Sequence, residues 1–216
     1  AMSDEQRREL KKKLRGGQAE PEIPFAKPDS TTRVFAVASG KGGVGKSSMT
    51  VNLAAALVQK GLKVGIVDAD IYGHSVPNLL GCTDGPTVLD DEMLLPPISH
   101  GIKHISIGQF VEGNAPVVWR GPMLHRALQQ FLADVFWGDL DVLLLDLPPG
   151  TGDVALSVAQ LIPNAELLIV TTPQAAAAEV AERAGSISQQ TRQRVAGVIE
   201  NMGAMVMPDG STMDVF

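Results

Sequence analysis

The chain has 216 residues, of which 44% are hydrophobic and 19% are charged, as is typical of one folded domain with a sizeable core. This composition excludes a globally disordered chain. The formal net charge of -6 disfavours nonspecific binding to nucleic acid, which ordinarily needs a basic face, so no nucleic-acid partner is expected.

The first 32 residues are predicted to form a charged N-terminal helix and a linker. Leu10 and Leu14 lie one helical turn apart within residues 3–15, but this segment lacks the broad apolar face of a membrane-surface helix. Residues 16–32 are rich in glycine and proline, which is typical of linkers. The N-terminal residues lack the apolar core of a signal peptide, and no apolar stretch approaches the length of a membrane span, so we expect neither. Because a single cysteine, Cys82, cannot form a disulfide within the chain, we expect a cytoplasmic protein without a membrane partner.

The rest of the chain, residues 33–216, alternates between predicted strands and helices. Apolar runs predict strands at 34–39, 63–68, 141–147, 166–171 and 195–200, and helices through Lys60, over 122–137 and from Pro173. This alternation predicts an α/β fold of three layers, a mostly parallel sheet with helices on both faces. Because the chain stops soon after a strand, we expect this domain to lack its last C-terminal elements.

Residues 40–47, GKGGVGKS, follow a predicted strand and precede a helix, as a phosphate-binding P-loop requires. Glycine lets backbone N–H groups turn inward around phosphate oxygens, and the helix N-terminus adds partial positive charge. Lys46 is predicted to reach the β- and γ-phosphates of ATP, and the Ser47 hydroxyl to bind Mg²⁺. The predicted nucleotide contacts in this segment are Gly40, Lys41, Gly42, Gly43, Val44, Gly45, Lys46, Ser47 and Ser48.

Lys41 is a second lysine, at a position that the general motif leaves free. Within one subunit it cannot easily duplicate the task of Lys46. If two loops face each other across a dimer, Lys41 can contact the partner's phosphates and act in trans, as an arginine finger does. The alternative is a solvated loop lysine without a catalytic task. We predict catalytic roles for Lys41 and Lys46.

Three aspartates close predicted strands. Asp68 and Asp70 end the second strand, where alternation puts both carboxylates on the same side, at the edge where open α/β sheets bind ligands. We assign Asp70 to positioning or activating the attacking water and Asp68 to the Mg²⁺ shell, with helix capping or a loop ion pair as the alternative. Asp146 is predicted to serve Mg²⁺, because burying a carboxylate without a cation is costly. Gly150, in the following loop, is predicted to donate its N–H to the γ-phosphate.

Together these segments resemble the deviant-Walker P-loop ATPases, which include the nitrogenase iron protein, the MinD and ParA positioning ATPases and the Mrp-type iron–sulfur cluster carriers. The resemblance extends over residues 37–202 and is strongest to the Mrp type. The segments that carry it are VASGKGGVGKSS, VDADIYGHSVP, NAPVVWRGPMLHRALQQFL, WGDLDVLLLDLPPGTGDV, VTTPQAAAAEVAERA and VIENM.

This resemblance implies a homodimeric, Mg²⁺-dependent ATPase that assembles iron–sulfur clusters or transfers them to apoproteins. It also implies that Asn201, within IENM, hydrogen-bonds the adenine. Such carriers usually have a C-x-x-C after this strand, but the corresponding residues here are 207–210, MPDG. The expected cofactors are therefore ATP and Mg²⁺, while the cluster is implied by the family without its usual ligands.

Two other functions stay open on the sequence. A positioning ATPase of the MinD or ParA kind would work without cluster chemistry, but it needs a membrane helix or a basic patch, and neither is evident. A small-molecule kinase would need an acceptor pocket and would leave Lys41 unexplained. Phosphate release without an acceptor distinguishes an ATPase from such a kinase.

Overall fold

The computed structural model describes residues 21–70, 73, 75–89, 93–110, 121–150, 152–174 and 177–213. The helix predicted at residues 3–15 lies outside this set. The strands are β1 Arg33–Ser39, β2 Val64–Asp68, β3 Thr87–Leu89, β4 Met93–Leu95, β5 Ile98–Ser99, β6 Ile102–Ser106, β7 Val142–Asp146, β8 Glu166–Thr171, β9 Val195–Glu200, β10 Met205–Val206 and β11 Thr212–Met213. The α-helices are α1 Lys46–Gln59, α2 Val76–Leu79, α3 Gly121–Ala133, α4 Asp153–Leu161 and α5 Ala177–Thr191. None of these described helices is both long and apolar enough to cross a lipid bilayer.

Seven strands form the central sheet, in the order β5-β6-β2-β7-β1-β8-β9. All neighbours are parallel except β5, which pairs antiparallel with β6 at one edge. Parallel strands all end at the same side of the sheet. The loops after β1, β2 and β7 therefore meet at one edge, where open α/β sheets bind ligands.

Helices cover both faces of this sheet. On β7, Leu143 and Leu145 join the core beneath α3 and α4, whereas Val142 and Leu144 join the core beneath α1 and α2. This division explains the uninterrupted apolar run of β7, because a strand buried on both faces needs apolar side chains at every position. The predicted three-layer α/β fold is confirmed.

The third helix is shorter than its apolar pattern predicts. The pattern indicates a helix to residue 137, but α3 ends at Ala133. Beyond it the chain extends alongside β4: the N–H of Leu94 donates to the Asp134 carbonyl at 3.0 Å, and the N–H of Phe136 donates to the Leu94 carbonyl at 2.8 Å. Pairing with a distant strand has replaced the last helical turn.

Packing begins before the predicted boundary at Arg33. Ile23 and Phe25 are 8% and 3% exposed and belong to the main core. They flank and occupy a short 3₁₀ turn at Pro24–Ala26, and the Asn164 side chain donates to the Phe25 carbonyl at 3.3 Å. Part of the predicted linker is therefore fixed to the body of the domain.

Candidate active site

The loop between β1 and α1 has the backbone shape of a phosphate cradle. Gly43 and Gly45 have φ of 79° and 80°, a left-handed conformation that favours glycine. At Gly45 a Cβ atom would lie 2.3 Å from Nδ2 of Asn201, so any larger residue would collide with that amide. Glycine is therefore favoured at position 43 by conformation, and at position 45 by both conformation and close packing.

Four side chains meet below the loop, and we call them the Asp146 cluster: Lys46, Ser47, Thr50 and Asp146. The ammonium of Lys46 donates to Oδ1 of Asp146 at 2.8 Å, and the Ser47 hydroxyl donates to Oδ2 at 2.5 Å. Thr50 Oγ1 also donates to Oδ1, at 2.9 Å. Asp146 is completely buried and Lys46 is 6% exposed. One charged residue from β7 thus organises three polar residues at the start of α1.

A cleft of about 250 Å³ opens above this cluster. Its lining combines the loop with residues from the carboxyl ends of β1, β2 and β7. The lining residues are Ser39, Gly42, Gly43, Val44, Gly45, Lys46, Ser47, Ser48, Asp70, Ser75 and Pro149. Most of the loop residues predicted from the sequence are thereby brought together with Asp70.

Asp68 lies directly opposite Asp146 on adjacent parallel strands, and both carboxyl groups are completely buried. Burial, together with the negative charge of Asp146, raises the pKa of Asp68 from 3.8 to about 6. Hydrogen bonds from neighbouring donors oppose this rise without cancelling it. Burial beside a second carboxylate therefore disfavours the ionised form of Asp68, while Asp146 is paired with Lys46.

The oxygen atoms of Ser47 and Asp146 fit Mg²⁺. This ion prefers oxygen ligands, and Ser47 and Asp146 offer a hydroxyl and a carboxylate that already contact each other. A cation near Asp146 would also relieve its repulsion with Asp68. Ser47 and Asp146 are thus the residues best suited to hold the metal.

Asp68 additionally connects both ends of the loop that carries Asp70. Its Oδ1 accepts the N–H of Asp70 at 3.2 Å, and its Oδ2 accepts the N–H of Val76 at 3.2 Å and the Ser106 hydroxyl at 3.1 Å. Asp70 in turn accepts the N–H of Gly73 at 3.0 Å. The assignment of Asp68 to the Mg²⁺ shell stays a prediction, beside a visible role in positioning Asp70.

Lys41 and Gly150 each form a hydrogen bond with Ser39 at the end of β1. The Ser39 hydroxyl donates to the Lys41 carbonyl at 3.0 Å, while the Lys41 residue itself is exposed and absent from the cleft lining. The N–H of Gly150 donates to the Ser39 carbonyl at 2.8 Å. Its predicted donation to a γ-phosphate therefore requires this bond to open first.

Asn201 follows β9 and holds the loop from behind. Its Nδ2 donates to the Val44 carbonyl at 3.0 Å, and its backbone N–H donates to the Thr171 carbonyl at 2.8 Å. These contacts bring the end of β9 against the P-loop. Hydrogen bonding to adenine stays a prediction for this residue.

Thr50 and Ser106 contribute to the site but were absent from the sequence-based set. Thr50 is four residues after Lys46, so its position on the same helix face was a usable signal. Ser106 gave none, because its contact with Asp68 depends on the pairing of β6 with β2.

Comparison with known proteins identifies the family. Residues 30–216 match the family described as ParA: NUBPL iron-transfer P-loop NTPase. The chain is 74% identical over 215 residues to the iron-sulfur cluster carrier protein of Mycobacterium bovis, covering 100% of this chain and 56% of that protein. It is 56% identical over 174 residues to the protein of the same name from Bacillus subtilis, covering 81% and 49%.

One solved structure, a nucleotide-binding protein from Archaeoglobus fulgidus in complex with ADP, is 40% identical with a TM-score of 0.73, covering 85% of this chain and 72% of that one. The chain spans about half the length of the curated relatives that it matches. The resemblance to iron–sulfur cluster carriers is confirmed, and the chain belongs to the NUBPL iron-transfer P-loop NTPases of the ParA group.

Proposed function

We propose that this chain binds Mg-ATP in the cleft and hydrolyses it. The observation that carries the proposal is the Asp146 cluster, in which three polar residues of α1 converge on one buried carboxylate. A strand-terminal carboxylate beside a glycine-rich loop is the arrangement with which P-loop NTPases hold a metal-bound nucleotide. The ADP complex of the Archaeoglobus fulgidus relative supports the same use of this cleft.

Binding exchanges contacts within the cluster for contacts with the nucleotide. The ammonium of Lys46 leaves Asp146 and turns to the β- and γ-phosphates, where charge-assisted hydrogen bonds are strong. Bound Mg²⁺ supplies positive charge that neutralises phosphate oxygens. Asp70, held in place through Asp68, orients the attacking water. The N–H of Gly150 moves from the Ser39 carbonyl to the γ-phosphate.

Hydrolysis is proposed to take place in a homodimer. Lys41 is exposed and adjoins Gly42 of the cleft lining, and the Ser39 hydroxyl donates to its backbone carbonyl. Contact with the phosphates of the partner subunit would add positive charge where negative charge develops in the transition state. Dimerisation on ATP and separation after hydrolysis would then form a cycle.

The cargo of this cycle is proposed to be an iron–sulfur cluster, delivered to apoproteins of the cytoplasm. The names of the relatives from Mycobacterium bovis and Bacillus subtilis support this cargo. Iron–sulfur clusters need thiolate ligands, commonly four, whereas a dimer of this chain offers two cysteines, one Cys82 from each subunit. Ligands from a longer chain, a client or an external thiol are therefore needed to complete the cluster.

Phosphate release without any acceptor tests the proposed ATPase activity. We expect the specific rate to increase with protein concentration, because the complete site needs two subunits. A rate that is independent of concentration would contradict hydrolysis in a dimer. Release that requires an added acceptor would contradict an ATPase and favour a kinase.

Anaerobic reconstitution with iron and sulfide tests the cargo. We expect this chain alone to hold no stoichiometric cluster, and a larger protein with additional thiolates to hold one. A stable brown product of this chain, with several irons per dimer, would show that its own residues suffice. Loss of that product in Cys82→Ser would then identify the ligand.

A further inference from the structure

Half of the methionines of this chain lie in one short segment. The sequence contains 8 methionines, and four of them fall between residues 202 and 213. Those four are Met202, Met205, Met207 and Met213. The segment includes the small sheet β10–β11. The proposed ATPase reaction assigns no role to these four methionines.

The hairpin register brings three of these side chains to one face. Met205 pairs directly with Met213 in antiparallel register, so their side chains lie on the same face at a Cβ separation of about 4.5–5.5 Å. The N–H of Met207 continues the pairing by donating to the Ser211 carbonyl at 2.8 Å. Because Met207 is two residues after Met205, strand alternation adds it to that face.

The turn of the hairpin fixes this register. The N–H of Gly210 donates to the Met207 carbonyl at 2.9 Å, and Gly210 has φ of 83°. A turn that ends on a left-handed glycine is a common three-residue hairpin connection. Backbone hydrogen bonds therefore fix the register that starts the side chains of Met205, Met207 and Met213 from one face of the hairpin.

Core packing does not account for these methionines. Met205 is 55% exposed, Met213 is 49% exposed and Met207 is half-buried. Every residue of β10 and β11 is exposed. Methionine ordinarily fills gaps inside a core, so a face with two exposed methionines and one half-buried methionine calls for another explanation.

The local charge favours a cation. Residues 201–213 contain no lysine or arginine. At the turn, Asp209 accepts the N–H of Ser211 at 2.9 Å and its hydroxyl at 2.6 Å.

From this geometry we propose that the hairpin binds one soft monovalent cation, Cu(I) or its analogue Ag(I), through the thioethers of Met205, Met207 and Met213. Neutral thioethers select Cu(I), whereas Mg²⁺ prefers oxygen and iron–sulfur clusters need thiolates. The site is separate from the nucleotide cleft in its ligands and in its metal. It stands whether or not the proposed ATPase activity is correct.

Titration with Ag(I), which needs no reductant, tests this site directly in protein labelled with ¹³C at the methionine methyl groups. The Cys82→Ser variant removes the competing thiol. We expect the methyl signals of Met205, Met207 and Met213 to shift together and to saturate at one Ag(I) per chain, while the signal of Met123 stays in place. Unshifted hairpin signals, or equal unsaturated shifts of every exposed methionine, would overturn the proposal.

Matched substitutions locate the ligands. Met205→Leu and Met213→Leu should each weaken Ag(I) binding by at least about tenfold, since losing even an outer-shell partner costs metal sites about 10–100-fold. Met123→Leu is the control, because Met123 is 50% exposed on α3, outside the hairpin. Competition with a colorimetric Cu(I) chelator should give the same order of affinities. Equal affinities of all three variants would contradict the assigned ligands.

Discussion

The Asp146 cluster and the Met205–Met213 hairpin place their functional side chains in opposite surroundings. In the cluster, Asp146 and Lys46 are buried and hydrogen-bonded to each other, and the same two residues belong to the proposed nucleotide site. In the hairpin, the residues of β10 and β11 are exposed, and backbone pairing sets their register. Substitutions in the cluster should therefore change both stability and ligand binding. Substitutions in the hairpin should change ligand binding without changing stability.

The largest effect is expected for Lys41, an exposed residue of the loop that precedes α1. Lys41→Ala should lower the hydrolysis rate by about 10³-fold or more, roughly 4 kcal/mol of barrier, while Mg-ATP affinity stays close to that of the wild type. Turnover and calorimetric affinity are measured on the same preparation. Lys60→Ala, at the exposed end of α1, is the matched control and should have no effect.

Mixing subunits decides whether Lys41 acts across the dimer. A mixture of Lys41→Ala chains and Asp70→Ala chains should regain activity. One of the two sites in each mixed dimer then has both residues intact. If no mixing ratio restores activity, action in trans is wrong, provided that Asp70 serves its own subunit.

The next effect compares a buried ion pair with an exposed one. Lys46→Ala should reduce the free energy of unfolding by about 3–5 kcal/mol, because it leaves Asp146 buried and unpaired. Adding Asp146→Asn should recover much of this loss without restoring nucleotide binding. Arg33→Ala, which breaks the exposed pair with Glu166 and also removes a cation–π contact with Phe35, should cost only about 1 kcal/mol. Urea unfolding measures all three, and equal losses for Lys46→Ala and Arg33→Ala would contradict the buried-charge argument.

The pH dependence of stability should reveal that Asp68 is buried beside Asp146. The pKa of Asp68 is raised from 3.8 to about 6, so the folded state binds a proton more readily than the unfolded state. The resulting stabilisation is fully present below pH 3.8 and is lost as the pH rises through 6, by on the order of 3 kcal/mol. Subtracting the unfolding free energies of Asp68→Asn from those of the wild type isolates this contribution. Parallel curves for the two proteins would refute it.

The smallest effect is expected at the hairpin. Met205→Leu should change the free energy of unfolding by no more than about 0.5 kcal/mol, as is usual for exposed positions. It should also leave ATP hydrolysis unchanged. Thermal unfolding and phosphate release measure these quantities, and a large loss in either would place the hairpin in the fold or the reaction.

Local patterns sufficed to predict much of the fold. The predicted bounds of β8 and β9 agree with the structure because apolar runs and their breaks are properties of neighbouring residues. The end of α3 was mispredicted because β4, about 40 residues earlier, competes for its last turn through Leu94. An apolar period cannot report such a distant partner.

The same distinction applies to the site. A P-loop is one continuous segment, so its residues, including Lys46 and Ser47, could be identified from the sequence alone. The position of Asp146 followed from its place at the end of a buried strand. In contrast, Ser106 reaches Asp68 only through strand pairing, and its role could not be inferred before the sheet order was known.

Calorimetric titration with Mg-ATP tests the central claim, that the Asp146 cluster and its P-loop form a nucleotide site. We predict that the wild type binds one Mg-ATP per chain. Lys46→Ala should lose most of that affinity while remaining folded under the conditions of the titration, because it lacks the cation that faces the β- and γ-phosphates. Circular dichroism of the sample used for the titration checks that the variant is folded. Unchanged affinity in folded Lys46→Ala would contradict the assignment of this cleft to ATP.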